Sequence, residues 1–332
     1  MTNKLFVNIT RTSIILAFVV VVLGAYTRLS DAGLGCPDWP GCYGSIVVPE
    51  SEGEIDQSND IYSSRPLEQG KAWKEMIHRY AAGALGLLVL AMAIMAWKNR
   101  SQADQQVVIP VLLVGLIIFQ ALLGMWTVTL LLKPIVVMVH LLGGLTILLL
   151  LVWILLKQVN GATAAARTNT NLVPLVALGL LVVYIQISLG GWTSANYAAL
   201  VCPDLPVCQG RWIPPMDFKE GFVLWRGLGV DYEYGVLDSE ARTAIHFSHR
   251  VGAIIALLFV GFIAIRALYD TNIKVRSAGW IVLSALLLQF CLGLANIYFL
   301  LPIAIAVAHN GVAAFLLASM GNLLFHSRYS FP

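Results

Sequence analysis

Long apolar stretches alternate with polar ones through almost the whole chain. Eight of them stand out, at 11–27, 76–97, 107–131, 135–156, 172–193, 244–266, 278–300 and 303–325. An α-helix needs roughly 20 apolar residues to cross the hydrocarbon core of a bilayer. The pattern therefore predicts an all-α integral membrane protein with eight transmembrane helices. Two connections are long and polar, 28–75 and 194–243, and the others are short. Composition agrees: 58% of the 332 residues are hydrophobic and 12% are charged, against about 25% charged in a soluble domain. The net charge of +3 gives no support to a nucleic-acid partner; the expected surroundings are membrane lipids. The first run has the make-up of a secretory signal, but it flows into a phrase that recurs behind the mid-chain run 172–193. It is expected to stay as a helix.

That phrase organises the chain. The first copy is Tyr26-Thr27-Arg28, then Cys36-Pro37-Asp38-Trp39-Pro40-Gly41-Cys42-Tyr43-Gly44. The second is Trp192-Thr193-Ser194, then Cys202-Pro203-Asp204-Leu205-Pro206-Val207-Cys208-Gln209-Gly210. Both cysteines, Cys-Pro-Asp, the second proline and the final glycine match in one register, 166 positions apart. The chain is an internal duplication, with units 1–160 and 161–332. Each unit holds four helices, so both insert the same way up. They are expected as two parallel four-helix bundles related by an axis along the membrane normal.

Charge sets the orientation. The short connections after the second, fourth and sixth runs carry Lys98 and Arg100, Lys157 and Arg167, and Lys274 and Arg276; Lys4 and Arg328 lie near the termini. Basic segments stay in the cytoplasm, which places both termini there and both cysteine loops outside, where disulfides persist. Intraloop disulfides Cys36–Cys42 and Cys202–Cys208 are expected as staples, with a redox role for one pair as the alternative. The spacing does not suit zinc, and no loop histidines accompany the pairs. Cys291 lies within a run and reads as packing.

Histidines carry the candidate chemistry. Glu75-Met76-Ile77-His78-Arg79 opens the second run, and His246-Phe247-Ser248-His249-Arg250 opens the sixth. The fourth run reaches His140 and the eighth His309. The third and seventh match as Gln120-Ala121-Leu122-Leu123-Gly124 and Gln289-Phe290-Cys291-Leu292-Gly293. Four histidines thus form two equivalent pairs, each expected in the first turns of its helix near the outer leaflet. An ionisable residue inside a membrane helix points to a functional site. Two imidazoles from facing helices of a bundle suit the axial positions of a haem iron, whereas tetrahedral zinc lacks its third and fourth ligands. Four residues after each histidine stand Ala82, Gly144, Ala253 and Ala313, small enough to open a slot for a macrocycle or simply to pack helices. His246 is an alternative ligand to His249, and His326 at the cytoplasmic end reads as structural. Arg79 and Arg250 are expected either to meet haem propionates or to snorkel to headgroups. Arg28 has Ser194 as its counterpart and serves the first unit alone. Glu75 stands one turn before His78, where the second unit has His246. One unit with a carboxylate and one without suggests one site for chemistry and one for electron supply.

The stretches 24–30, 33–42 and 75–79, with His249-Arg250 and histidines at 140 and 309, resemble the haem A synthase family along the whole chain. The loop cysteines resemble its bacterial, cysteine-containing branch. The resemblance implies an oxidoreductase of the bacterial inner membrane. It oxidises the C8 methyl of haem O to a formyl group by two hydroxylations, through a gem-diol that loses water, giving haem A for terminal oxidases. It also implies that His249 and His309 hold a permanent haem b as cofactor, and that His78 and His140 bind haem O beside a catalytic Glu75. The outer loop is implied to receive haem from haem O synthase. The residues alone leave two other readings open, a dihaem b-type electron carrier and a haem delivery protein. The electron donor is unknown from the sequence.

Overall fold

Backbone polar groups in hydrocarbon must be paired within the chain, and the apolar runs meet that demand as helices. The computed structural model describes residues 4–102, 105–160, 165–166 and 172–330; Arg167, expected on the cytoplasmic side, lies outside them. The helices are α1 (Lys4–Leu29), α2 (Glu52–Ile61), α3 (Gln69–Lys98), α4 (Val108–Thr129), α5 (Pro134–Asn160), α6 (Leu172–Ala195), α7 (Phe218–Gly221), α8 (Ser239–Leu268), α9 (Ile273–Tyr298) and α10 (Ile303–Arg328). All but α2 and α7 are long and apolar enough to cross a membrane. The chain is a multi-pass membrane protein. Ala165–Ala166 pairs antiparallel with Tyr329–Ser330, joining the inter-unit connection to the last helix.

The helices outrun the apolar stretches. α3 begins at Gln69 rather than 76, and α8 at Ser239 rather than 244. His78 and His249 therefore lie near the third turn of their helices, not the first, about 14 Å in at 1.5 Å per residue. Hydropathy registers only contact with hydrocarbon. The polar opening turn of α8 is held instead by Asp238, which accepts from the Ala241 N–H as an N-cap. The polar loops also contain helix: α2 opens with a capping box between Ser51 and Glu54.

Helix packing respects the duplication. In the first unit α1 packs on α3 and α5, and α4 on α3 and α5; in the second α6 packs on α8 and α10, and α9 on α8 and α10. Between units α1 meets α10, α5 meets α6, and α5 meets α10. Exchanging each helix for its repeat mate returns the same set of pairs. Some residues even meet their own mates. Arg28 Nη2 donates to the carbonyl of Ser194 at 2.7 Å, and Tyr197 Oη donates to Asp31 Oδ1 at 3.0 Å. Such self-contacts arise close to a two-fold relation. One apolar core draws on all eight long helices, from Ala17 and Leu85 to Val260 and Leu317.

Both cysteine pairs are disulfides, with Cα atoms 4.8 and 4.7 Å apart. Within each loop the aspartate accepts two backbone N–H groups, Asp38 from Tyr43 and Gly44 and Asp204 from Gln209 and Gly210. Beyond this the loops diverge. The stretch 222–237 of the second crosses to the loop end of the first unit. The Tyr232 N–H donates to Leu131 O at 3.0 Å. The ammonium of buried Lys133 reaches the carbonyl of Gly227 and lies 3.5 Å from the Trp225 ring centre. Arg65 pairs with Asp231 at 2.7 Å and Glu233 at 3.0 Å.

Candidate functional site

Four glycines bring the four histidines into place. A Cβ at Gly24 of α1 would lie 2.9 Å from Cε1 of His78, and one at Gly190 of α6 would lie 3.1 Å from Cε1 of His249. A real side chain has no room there, so each imidazole rests directly on the neighbouring helix backbone. Gly293 of α9 backs His309 closely, with a Cβ there 3.2 Å from Cε1, while a Cβ at Gly124 of α4 would meet Cε1 of His140 at an ordinary 3.5 Å. The Gly24 and Gly190 contacts were missed by sequence reasoning, although the 166-residue offset relating them could have found them.

In the first unit the rings of His78 and His140 face each other, with centres 6.5 Å apart and planes at 84°. Two metal–nitrogen bonds of about 2 Å each, plus the reach from each nitrogen to its ring centre, span such a gap with one metal between. Nδ1 of each ring is buried without a hydrogen-bond partner, and buried polar atoms of this kind call for a ligand or water. A cavity of about 650 Å³ lies against both rings, within the usual size range of cofactor sites. Its walls include Ala82 and Gly144, two of the small residues picked out from the sequence, and Glu75. Asn310, the residue after His309, reaches the same cavity from the second unit. Among the described residues no three histidine, cysteine or carboxylate side chains converge as a metal site. The donors come in pairs, as a macrocycle that supplies its own four nitrogens requires.

Glu75 is buried at the end of this cavity nearest the disulfide loop. Its Oε2 accepts from the backbone N–H of Cys36 at 2.9 Å, and its Oε1 from Arg79 Nη2 at 2.5 Å. Arg79 pairs with this acid one turn along the helix, and the Cys36 contact adds a tie to the disulfide loop. Arg79 also donates to the carbonyls of Asp38, Pro40 and Gly41. Arg250 does the same in the second unit, to Cys202, Asp204 and Val207. Both arginines thus latch a disulfide loop onto the helix that carries a histidine, an arrangement that sequence reasoning did not weigh. Arg79 still lines the cavity.

The second unit differs around its pair. Gln186 Nε2 lies 3.0 Å from Nδ1 of His249, and Gln289 Nε2 lies 3.2 Å from Nε2 of His309. For Nε2 of His309 to bind a metal, the Gln289 amide has to turn aside. Gln120, the mate of Gln289, donates instead to the backbone carbonyl of His140. Val20 holds the place of Gln186 in the first unit, so no repeat signal pointed to that glutamine. His246 is buried, with Nδ1 2.8 Å from the carbonyl of Ala198. It ties its helix to the second loop much as Glu75 does to the first. Arg28 stacks 4.2 Å from the Tyr197 ring centre and lines the first-unit cavity.

Electrostatics outside the helices reinforces the loops. The Gly210 and Gln209 N–H groups hold the Asp204 carboxyl below its usual range. Burial pushes the Tyr43 phenol up to about 12, and its hydroxyl donates to the carbonyls of Arg65 and Pro66.

Residues 8–320 match the family described as cytochrome oxidase assembly protein, COX15-CtaA. The chain is 45% identical over 311 residues to a "Heme A synthase" of Shewanella oneidensis, covering 93% of each chain. It is 28% identical over 325 residues to a "Heme A synthase" of Caulobacter vibrioides, covering 91% of this chain and 90% of that one. With a "Heme A synthase" of Bacillus licheniformis the identity is 25% over 311 residues, with 90% and 87% covered.

Proposed function

The chain belongs to the COX15-CtaA family of cytochrome oxidase assembly proteins, and from that premise we propose how its two histidine pairs divide the work of a haem A synthase. The enzyme is an oxidoreductase that converts the C8 methyl of haem O into the formyl group of haem A. The first unit, 1–160, takes the substrate, with His78 and His140 as its axial ligands. The observation that carries this is the 6.5 Å separation of those two rings across a cavity that also holds a carboxylate. The second unit, 161–332, holds a permanent haem b between His249 and His309. When bound, that haem supplies one-electron redox chemistry next to the substrate.

The chain's own residues do the rest. His78 and His140 would hold the macrocycle of the substrate in the cavity whose wall bears Glu75. Two donors, the Cys36 N–H and Arg79, converge on Glu75 and fix its carboxyl group in place. A carboxyl group held there is placed to stabilise positive charge as it develops on the methyl carbon. It also stands ready to accept the proton that carbon releases. Asn310 brings the second unit to the cavity wall. Arg79 orders the disulfide loop over the site. The enzyme sits in the bacterial cytoplasmic membrane with both termini inside and both cysteine loops outside, where the first loop receives haem O from haem O synthase. The product goes to terminal oxidase assembly.

Chromatography of the pigments extracted from the purified protein tests this reading. Haem b together with haems O and A is expected. Haem b alone, in cells that make haem O, would favour an electron carrier and overturn the substrate assignment.

A further inference from the structure

The two units hold equivalent histidine pairs, yet the walls around them are built differently. α3 and α4 pack on each other more sparsely than their mates α8 and α9 do. The sequence supplies the cause. Gly83, Gly86 and Ala121 of the first unit stand where the second has Ile254, Leu257 and Phe290. All three small residues line the cavity against His78 and His140, and Gly83 and Ala121 are exposed on the outside of the bundle. Nothing lies within 4 Å of the point where a Cβ would stand on Gly83. The cavity therefore reaches the flank of the bundle between two helices. Its rim there is apolar: Leu87, Ile118 and Leu122 are exposed beside it. In the second unit Leu257 packs against the core and Leu286 is buried, while Ile254 stays exposed at the surface.

We propose that the gap between α3 and α4 is a lateral portal through which haem O moves between the lipid and the cavity, its long isoprenoid chain lying in the gap while the porphyrin sits between His78 and His140. This rests on the substrate assignment above and adds the route and the place of the chain. A polar mouth cannot serve such a ligand, because each buried methylene gains about 0.8 kcal/mol by staying out of water. An opening onto hydrocarbon lets the chain remain in apolar surroundings throughout. The closed wall of the second unit follows the same logic, since a permanent cofactor needs no exit.

The test gives the first unit the residues of the second: Gly83→Ile, Gly86→Leu and Ala121→Phe together. Gly83 has open space, and a Cβ at Gly86 would meet Ile117 at an ordinary 3.5 Å, so the backbone accepts the change. Phosphatidylcholine vesicles carrying haem O are mixed with the reconstituted full-length protein, and haem O transfer is followed by chromatography. Transfer at least tenfold slower than in the unaltered protein is expected, with haem b content unchanged. Transfer at the unaltered rate with haem b intact overturns the portal. If the triple variant loses haem b, Gly83→Ile alone is read: a slowing of at least threefold is expected, and an unaltered rate overturns the portal. An unaltered protein that takes up no haem O and forms no haem A sinks the substrate assignment instead, which keeps the two failures apart.

Discussion

The helix pair α3 and α5 of the first unit and the pair α8 and α10 of the second carry the same His-Arg phrase, the same deep histidine and the same disulfide loop overhead. Around His78 the chain adds a buried carboxylate, small residues and a cavity of about 650 Å³. Around His249 it adds a second imidazole, a glutamine on the ring and large apolar side chains. Duplication supplied two copies of a ligand geometry. The proposed division, one site that exchanges its ligand and one that keeps it, rests on a handful of changed side chains. The backbone and the latching arginines stayed common to both. The chemistry lies in what was allowed to differ.

Removing ligands breaks the comparison most severely. His140→Ala should abolish haem A formation and haem O retention while leaving haem b in place; His309→Ala should remove haem b and leave haem O binding measurable. Pigment analysis of both proteins reads the outcome, and loss of the same haem from both variants would dissolve the division between units. Next comes the carboxylate. Glu75→Gln should lower haem A formation about 100-fold, the lower end of the range for a positioned acid–base group, with haem b as the folding control. Normal haem A would remove Glu75 from the mechanism. The mate substitution, His246→Gln, should cost stability and leave the identity of the product unchanged.

The disulfides sharpen the contrast further. Serine at both Cys202 and Cys208 should cost mainly stability, about 2–4 kcal/mol at most for a closed loop. Serine at both Cys36 and Cys42 should cost a similar amount and also slow turnover, because the Cys36 N–H holds Glu75. Thermal unfolding and haem A yield, measured on both double variants, separate the two effects; equal yields would show that the loop does not position the acid. The smallest effect concerns pH. The Asp204 carboxyl is held below its usual range by the Gly210 and Gln209 N–H groups. A carboxyl with a lowered folded pKa stabilises above its unfolded value and loses that contribution as pH falls through the folded one. Amide protection at Gly210 should therefore weaken only below about pH 4, the ordinary Asp range, once corrected for intrinsic exchange. In Asp204→Asn it should be weaker at neutral pH and show no such transition.

Much of this was legible in the residues. Eight spans, the duplication, both disulfides and the four matched histidines each follow from a periodicity, an offset or a composition that one strand of text displays. Other features were not legible because they depend on what approaches from another part of the chain. The starts of α3 and α8 lay in polar turns, where hydropathy is silent; at α8 the Asp238 cap marks the start. Arg79 and Arg250 had two plausible partners by type. Folding gave them a third, the carbonyls of a loop some 40 residues away in sequence, because those oxygens are left unpaired by the tight disulfide turn. Gln186 has no mate to advertise it. Gly83, Gly86 and Ala121 are visible as small residues, but smallness alone does not distinguish close helix packing from an opening. The sequence by itself determined the membrane class, the repeat and the matching of the four histidines, since each is a property of residue type and spacing. Only the tertiary structure decided which small residues face empty space, and which buried polar groups meet, because both depend on the distance between helices.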